Sequence, residues 1–230
     1  MIDISIFLAQ TMKKSLALFF GLISFILGYL SYLLIQNLAP ASQSKVEFSL
    51  DIPESFSGVI ETEGLTVNGT PVELSGTRLT IGATLRDIPL DAKASYFDEV
   101  GTGSISNFAG YKIIETVPSL DTPVCTMQTK ELEAAAKLFP EIHFIVISND
   151  TPFALQRFCA ANGIDNLKVY SDARTREFWK QNGLYLPQYG LLTRSIIIVD
   201  QNLKVVYVDY AEEITQELDL KNALAYLESL

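Results

Sequence analysis

Thiols and imidazoles are scarce in this chain: Cys125 and Cys159 are the only cysteines and His143 the only histidine in 230 residues. That set leaves a structural zinc site short of its usual four ligands. The two thiols also do not form Cys-x-x-Cys, so a thioredoxin-type disulfide donor is unsupported. Basic residues are outnumbered, 17 against 27 acidic, for a net charge of −10. The balance argues against a nucleic-acid partner, which needs a clustered basic face. No internal repeat, low-complexity tract or run of like charge appears.

One segment lacks charge altogether. Leu16 to Ile35 is almost wholly apolar, and about 20 helical residues span roughly 30 Å, the hydrocarbon thickness of a bilayer. The expected organisation is a cytoplasmic segment 1–14, a transmembrane helix over 15–36, a linker with an extra strand over 37–64, and a globular domain over 65–230. Lys13 and Lys14 precede the span and Lys45 follows it. Basic residues favour the cytoplasmic side, so the domain is expected to face the periplasm from a bacterial inner membrane. A cleaved signal peptide is the alternative, with Ala39-Pro40-Ala41 as a small-residue cleavage pattern and a soluble periplasmic product.

The globular part alternates strand-like and helix-like runs. The pattern predicts strands over Tyr111–Val117, Ile142–Ser148, Lys168–Tyr170, Ser195–Val199 and Lys204–Tyr210. Helices are expected after Thr122 and over Pro152–Asn162, Thr175–Asn182 and Gln216–Leu227. Asn68-Gly69 inside Thr66–Val72 signals a hairpin, because both residues tolerate positive φ. A βαβ half followed by a ββα half makes a thioredoxin-like α/β fold. His143, Phe178 and Trp179 are read as packing residues.

The first thiol ends the octet Pro118-Ser119-Leu120-Asp121-Thr122-Pro123-Val124-Cys125. Asp121 or Thr122 can cap a helix, and Pro123 suits its first position. Cys125 then lies in the first turn, where the positive end of the macrodipole favours a thiolate. The second thiol, Cys159, follows Asp150-Thr151-Pro152 on a helix that Gly163 should stop. Two lone cysteines on separate helices fit an attacking and a resolving thiol. A permanent disulfide, or two inert core thiols, fits the spacing as well.

The local residues narrow this choice. Pro118, Thr122 and Cys125 form Pro-x-x-x-Thr-x-x-Cys, which resembles the active-site pattern of peroxiredoxins. The longer Val-Pro-Ser-Leu-Asp-Thr-Pro-Val-Cys is similar to the thiol peroxidase branch, the atypical two-cysteine peroxiredoxins of bacteria. Pro152-Phe153-Ala154, Arg157-Phe158-Cys159, Tyr170-Ser171-Asp172, Arg194 before a hydrophobic strand, Val205-Val206-Tyr207-Val208 and Glu213-Ile214-Thr215-Gln216-Glu217 continue the likeness over roughly residues 65–230. Two places depart from it. Leu85-Arg86-Asp87-Ile88-Pro89-Leu90 replaces the usual Pro-Asp-Phe-like strand, and Glu115 is an odd choice inside a buried strand.

The resemblance implies a central mixed sheet flanked by helices, an N-terminal β-hairpin and a homodimer. It implies that Cys125 attacks a peroxide oxygen and that Cys159 resolves the sulfenic acid to a Cys125–Cys159 disulfide. Thr122, Arg194 and Pro118 would orient the peroxide, donate to its oxygens and shape the pocket. No metal or organic cofactor is required, and thioredoxin or another dithiol would supply electrons. The competing class is a non-catalytic, membrane-tethered thioredoxin-like binding module with a purely structural disulfide, which needs neither Thr122 nor Arg194.

Overall fold

The structure, a computed structural model, describes residues 64–230. The expected membrane span, the linker 37–64 up to residue 63 and the alternating run Val46–Ile52 lie outside the described residues. Among the described residues no helix is long and apolar enough to cross a membrane.

A seven-stranded mixed sheet organises the domain. Its strands are β3 (Leu90–Ala92), β4 (Gly101–Gly103), β5 (Lys112–Val117), β6 (His143–Ser148), β7 (Lys168–Ser171), β10 (Ser195–Val199) and β11 (Val205–Tyr210). They run in the order β11-β10-β5-β6-β7-β3-β4. β5 lies parallel to β6 and antiparallel to β10, and all six of its residues are buried. Such a strand carries apolar side chains on both faces. Ile113 and Val117 enter one core with Leu132, Leu155 and Leu224, whereas Ile114 enters the other with Ile147, Phe178 and Trp179. Glu115, by alternation, shares the face of Ile113 and Val117.

Helices cover both faces. α1 (Pro123–Ala136), α2 (Pro152–Asn162) and α4 (Leu220–Glu228) pack on the first core, and α3 (Glu177–Gln181) on the second. α2 has the bounds expected from sequence. Thr151 caps it by accepting from the Ala154 amide, and Gly163 ends it at φ 65°, a left-handed conformation that costs glycine little. The strand Ser195–Val199 also matches.

Two helices are shorter than expected. Arg176 adopts φ 58°, so α3 starts at Glu177 rather than Thr175. The buried Asp172 carboxylate accepts from the Phe178 and Trp179 amides at 3.4 and 3.0 Å and fixes that start. α4 starts at Leu220 rather than Gln216, because the Leu218 amide donates to Gln128 Oε1 at 3.2 Å and Asp219 caps the next turn. The divergent stretch before Ser104 contributes β3, which pairs with β4 and with β7. Gly103 leaves room there for Tyr170, since a Cβ would fall 2.6 Å from its hydroxyl and the ring would have to move.

Two short hairpins complete the domain: β1 (Thr66–Val67) with β2 (Thr70–Pro71), and β8 (Tyr185–Leu186) with β9 (Leu191–Leu192). The first turns through Asn68 at φ 50° and Gly69 at φ 72°, the geometry expected of Asn-Gly. The Glu213 carboxylate holds this hairpin, accepting from Thr66 Oγ1 at 2.9 Å and from the Asn68 and Gly69 amides at 3.0 and 2.9 Å. Hydrogen bonds from Thr215 Oγ1, then Gly69 N and Thr215 N, keep this carboxyl well below the usual carboxylate range.

A carboxyl depressed by folding stabilises the fold above its unfolded value and loses that contribution as pH falls below it. Glu213→Gln is therefore expected to speed amide exchange over residues 66–72 at neutral pH while β5 and β6 stay protected. The difference from the parent should shrink as pH drops through the ordinary carboxylate range. Hydrogen exchange at a series of pH values checks this, and a difference that persists unchanged into strong acid would contradict it.

Candidate active site

β5 ends at Val117 and delivers Pro118 to a tight loop that leads into α1. A carboxylate from another loop clasps this turn: Asp150 accepts from Ser119 Oγ at 2.8 Å, Leu120 N at 2.7 Å and Ser148 Oγ at 2.7 Å. Asp150 directly precedes Thr151, the cap of the Cys159 helix. One side chain therefore ties together the approaches to both thiol-bearing helices. Thr126 Oγ1 adds an inner brace on the Leu120 carbonyl at 2.8 Å.

Thr122 occupies the N-cap position of α1, but its hydroxyl does not cap the helix. It donates instead to the Ser119 carbonyl at 3.0 Å. The cap expected from sequence is thus right in place and wrong in chemistry. With its proton committed, the oxygen is left with lone pairs that can accept from a hydroxyl or hydroperoxyl group. Asp121 takes no capping role.

Cys125 is buried in the first turn of α1, behind Pro123 and Val124. Arg194, the residue before β10, is only 2% exposed, and its Nη2 donates to Cys125 Sγ at 3.1 Å. Its Nη1 donates to Gln128 Oε1 at 3.1 Å and its Nε to the Ile214 carbonyl at 3.1 Å. The planar fork is held at three points, which fixes the direction of its charge on the sulfur.

Pro118, Thr122, Cys125 and Arg194 line one cavity of about 310 Å³. Val67, Leu186, Tyr189, Leu191 and Ile214 form much of its remaining wall. The first hairpin and the β8–β9 hairpin thus supply apolar lining to a site that also presents Thr122, Cys125 and Arg194. The volume falls at the lower end of small-molecule pockets, suited to a compact polar head with a short apolar tail.

Cys159 lies outside this cavity. Both cysteines are free, and α1 and α2 are wound through them. Burial, reinforced by the Glu133 carboxylate, pushes the Cys159 thiol up to about 11. Glu133 is itself tied to Asn166, accepting from its backbone and side-chain nitrogens. In this form Cys159 is a poor nucleophile. His143 also sits apart from the site, tilted against Phe108 at 4.9 Å, in keeping with a packing role.

The sequence reading brought four residues to the site and missed three contributors. Gln128 stands one turn after Cys125, a spacing that places both on one helix face and could have flagged it. Asp150 was read only as part of a helix start, and its reach across to Ser119 has no signal along the chain. The Ile214 carbonyl is a backbone group that no residue pattern announces.

Comparison with known proteins gives the same picture. The Redoxin family model matches residues 92–227. The thiol peroxidase of Oceanobacillus iheyensis is 34% identical over 164 residues, covering 71% of this chain and 97% of that protein. The thiol peroxidase of Clostridium acetobutylicum is 37% identical over 147 residues, 64% of this chain and 87% of the relative. Among solved structures, a peroxiredoxin-like protein from Aquifex aeolicus superposes with a TM-score of 0.63 at 31% identity, covering 72% of this chain and 96% of that one. A thiol peroxidase from Chromobacterium violaceum reaches 0.64 at 22% identity over 74% and 97% of the two chains, a likeness of fold. A buried thiol under a clamped guanidinium, on this fold and with these relatives, makes the chain a member of the redoxin family, in its thiol peroxidase branch.

Proposed function

We propose that the chain is a thiol-dependent peroxidase in which Cys125 reduces hydrogen peroxide and organic hydroperoxides. The observation that carries this reading is the 3.1 Å contact from Arg194 Nη2 to Cys125 Sγ inside the cavity. The Cys125 thiolate attacks one peroxide oxygen, the S–O bond forms as the O–O bond breaks, and the sulfur becomes S–OH. The departing alkoxide or hydroxide takes a proton and leaves as an alcohol or water. Negative charge moves from sulfur to the leaving oxygen, so donors aimed at that path lower the barrier. Arg194 is such a donor, Thr122 accepts from the peroxide, and Pro118 limits water. The apolar wall of Leu186, Leu191 and Ile214 favours organic hydroperoxides with a short chain.

Cys159 then attacks the sulfenic sulfur, an S–S bond forms and water leaves, which halts further oxidation. A wound α2 and a thiol held at about 11 oppose this step, so α2 opens before Cys159 reacts. Opening returns the thiol toward the ordinary value near 8.5. Thioredoxin or another dithiol reduces the bond, and the domain works as a homodimer without a cofactor. The uncharged run Leu16–Ile35 behind Lys13 and Lys14 supports an inner-membrane anchor over 15–36 with the domain in the periplasm, and a signal peptide cut near Ala41 is the other route to that compartment. The non-catalytic module with a structural disulfide is not favoured, since it does not call for a guanidinium donating to the Cys125 sulfur.

Cys125→Ser is expected to abolish the fast reaction with peroxide, whereas Cys159→Ser keeps one turnover and loses recycling. Stopped-flow single-turnover assays with hydrogen peroxide and a short alkyl hydroperoxide test both. A fast step retained in Cys125→Ser would overturn the assignment. In the unmodified chain, disulfide formation should rise with pH and level off near the ordinary thiol range. A rise that continues to about pH 11 would mean that Cys159 attacks from the wound helix.

The anchor predicts that the mature chain keeps its N-terminal segment and stays with membranes through an alkaline wash. Mass spectrometry finding a mature chain that begins near Ser42 would support cleavage instead, and a domain shielded from protease in intact spheroplasts would overturn the outward orientation.

A further inference from the structure

Behind Arg194 lies an ionisable group that the reaction described above does not use. Glu115 is fully buried at the centre of β5, on the same face as the first core. Its Oε2 accepts from Thr129 Oγ1 at 3.0 Å. Gln128, whose Oε1 already accepts from Arg194 Nη1, lies against the carboxyl and favours its anion. Neither Gln128 Nε2 nor Glu115 Oε1 closes a hydrogen bond. Two hydrogen-bonded polar groups thus meet in the core: Cys125, Arg194 and Gln128 on one side, Glu115 and Thr129 on the other, with Gln128 and Glu115 adjoining where they face each other.

The surroundings supply little other charge. In register, Glu115 is flanked by Val146 of β6 and Ile196 of β10. α1 contributes Cys125, Gln128, Thr129 and, further out, Glu131, whose negative charge disfavours a second anion. Glu131 is itself raised, by burial first and then by Glu217 and Asp219 ahead of α4. Across Ile196 stands Asp209 of β11, a second buried carboxyl, which burial pushes up to about 6. The cation that acts on the carboxyl is Arg194. Burial raises the Glu115 carboxyl to about 7, against the pull of the Thr129 hydroxyl and the Arg194 charge.

The site therefore holds one fixed cation and two groups able to become its anion. A buried net negative charge is costly, and two anions sharing one cation disfavour each other's ionisation. While Cys125 is a thiolate, Arg194 has its counter-charge, and a neutral Glu115 keeps the cluster balanced. Oxidation to S–OH leaves the guanidinium without an anion, and the balance then favours the Glu115 carboxylate. Thr129 suits both states, because a hydroxyl can accept from an acid or donate to a carboxylate.

We propose that Glu115 is a positioning residue that is protonated while Cys125 is a thiolate and ionises when the sulfur is oxidised, so that Arg194 keeps one counter-charge in both states. The proposal rests on the peroxidase reading. The step balances as Cys–S⁻ plus ROOH plus Glu–COOH giving Cys–SOH plus ROH plus Glu–COO⁻. The S–O bond forms, the O–O bond breaks, sulfur is oxidised and the peroxide reduced. The proton lost by the carboxyl equals the one gained by the leaving alkoxide. Re-reduction of the sulfur takes the proton back.

Redox-difference infrared spectroscopy on the full-length chain, treated with one equivalent of hydrogen peroxide at neutral pH, tests this. The expected result is loss of a carboxylic-acid C=O band and gain of a carboxylate band on oxidation. Both should shift with isotopically labelled glutamate, which separates Glu115 from Asp209, and both should be absent in Glu115→Gln. A merely structural Glu115 would give no such bands. The labelled parent protein keeps the test decisive if Glu115→Gln fails to fold. Mass spectrometry of the same samples distinguishes the two failures. Cys125 oxidised without any glutamate band change overturns the role of Glu115, whereas Cys125 left unoxidised overturns the peroxidase reading beneath it.

Discussion

A guanidinium buried against a sulfur is the constraint on which the rest of the site depends. An ion is expensive to remove from water unless its charge and its donors are all met. Arg194 meets most of this demand through Cys125 Sγ, Gln128 Oε1 and the Ile214 carbonyl, with three of its five N–H donors, and the others stay available to a peroxide. Each partner comes from a different part of the chain, so the first turn of α1, its second turn and the segment after β11 must arrive together. Gln128 also accepts the Leu218 amide, which places the start of α4. Glu213, next to Ile214, in turn secures the first hairpin. The cavity wall, the hairpin and the last helix are all referred to one cation.

The same packing sets the thiols apart. Cys125 lies at the head of α1 under a positive charge, and Cys159 lies deep in α2 beside Glu133 with its thiol raised. Asp150 bridges the approaches to both helices. Opening α2 strains the clasp that also holds the Pro118–Thr122 loop, which gives a physical route by which movement of one thiol disturbs the other. Separation of this kind lets Cys125 meet peroxide in the cavity before Cys159 can reach its sulfur.

Much of this was legible in the residues. Thr-Pro at the start and Gly163 at the end bounded α2, and an unbroken Ser-Ile-Ile-Ile-Val marked β10. The motif around Cys125, with Arg194, pointed to four side chains that share one cavity. What stayed hidden has three physical sources. Strands of two or three residues, such as β3, β8 and β9, carry no period to read. The starts of α3 and α4 are set by the φ of Arg176 and by a tertiary bond to Gln128, which local propensity does not see. The clasp at Asp150 and the polar groups around Glu115 join residues brought together only by the fold; along the chain Glu115 stands out only as an odd choice inside a buried strand.

The central claim is that Arg194 acts through geometry as well as charge, aiming donors along the path of the moving electrons. Arg194→Lys keeps the charge and loses the planar fork that reaches three acceptors. The most direct measurement is the second-order rate of Cys125 oxidation by hydrogen peroxide in this variant, with amide exchange of β5 and β6 reporting that the sheet is intact. The account predicts a rate about 10²-fold lower, the scale seen when one transition-state donor is removed. A rate within a few-fold of the unmodified chain, on an intact sheet, would contradict it.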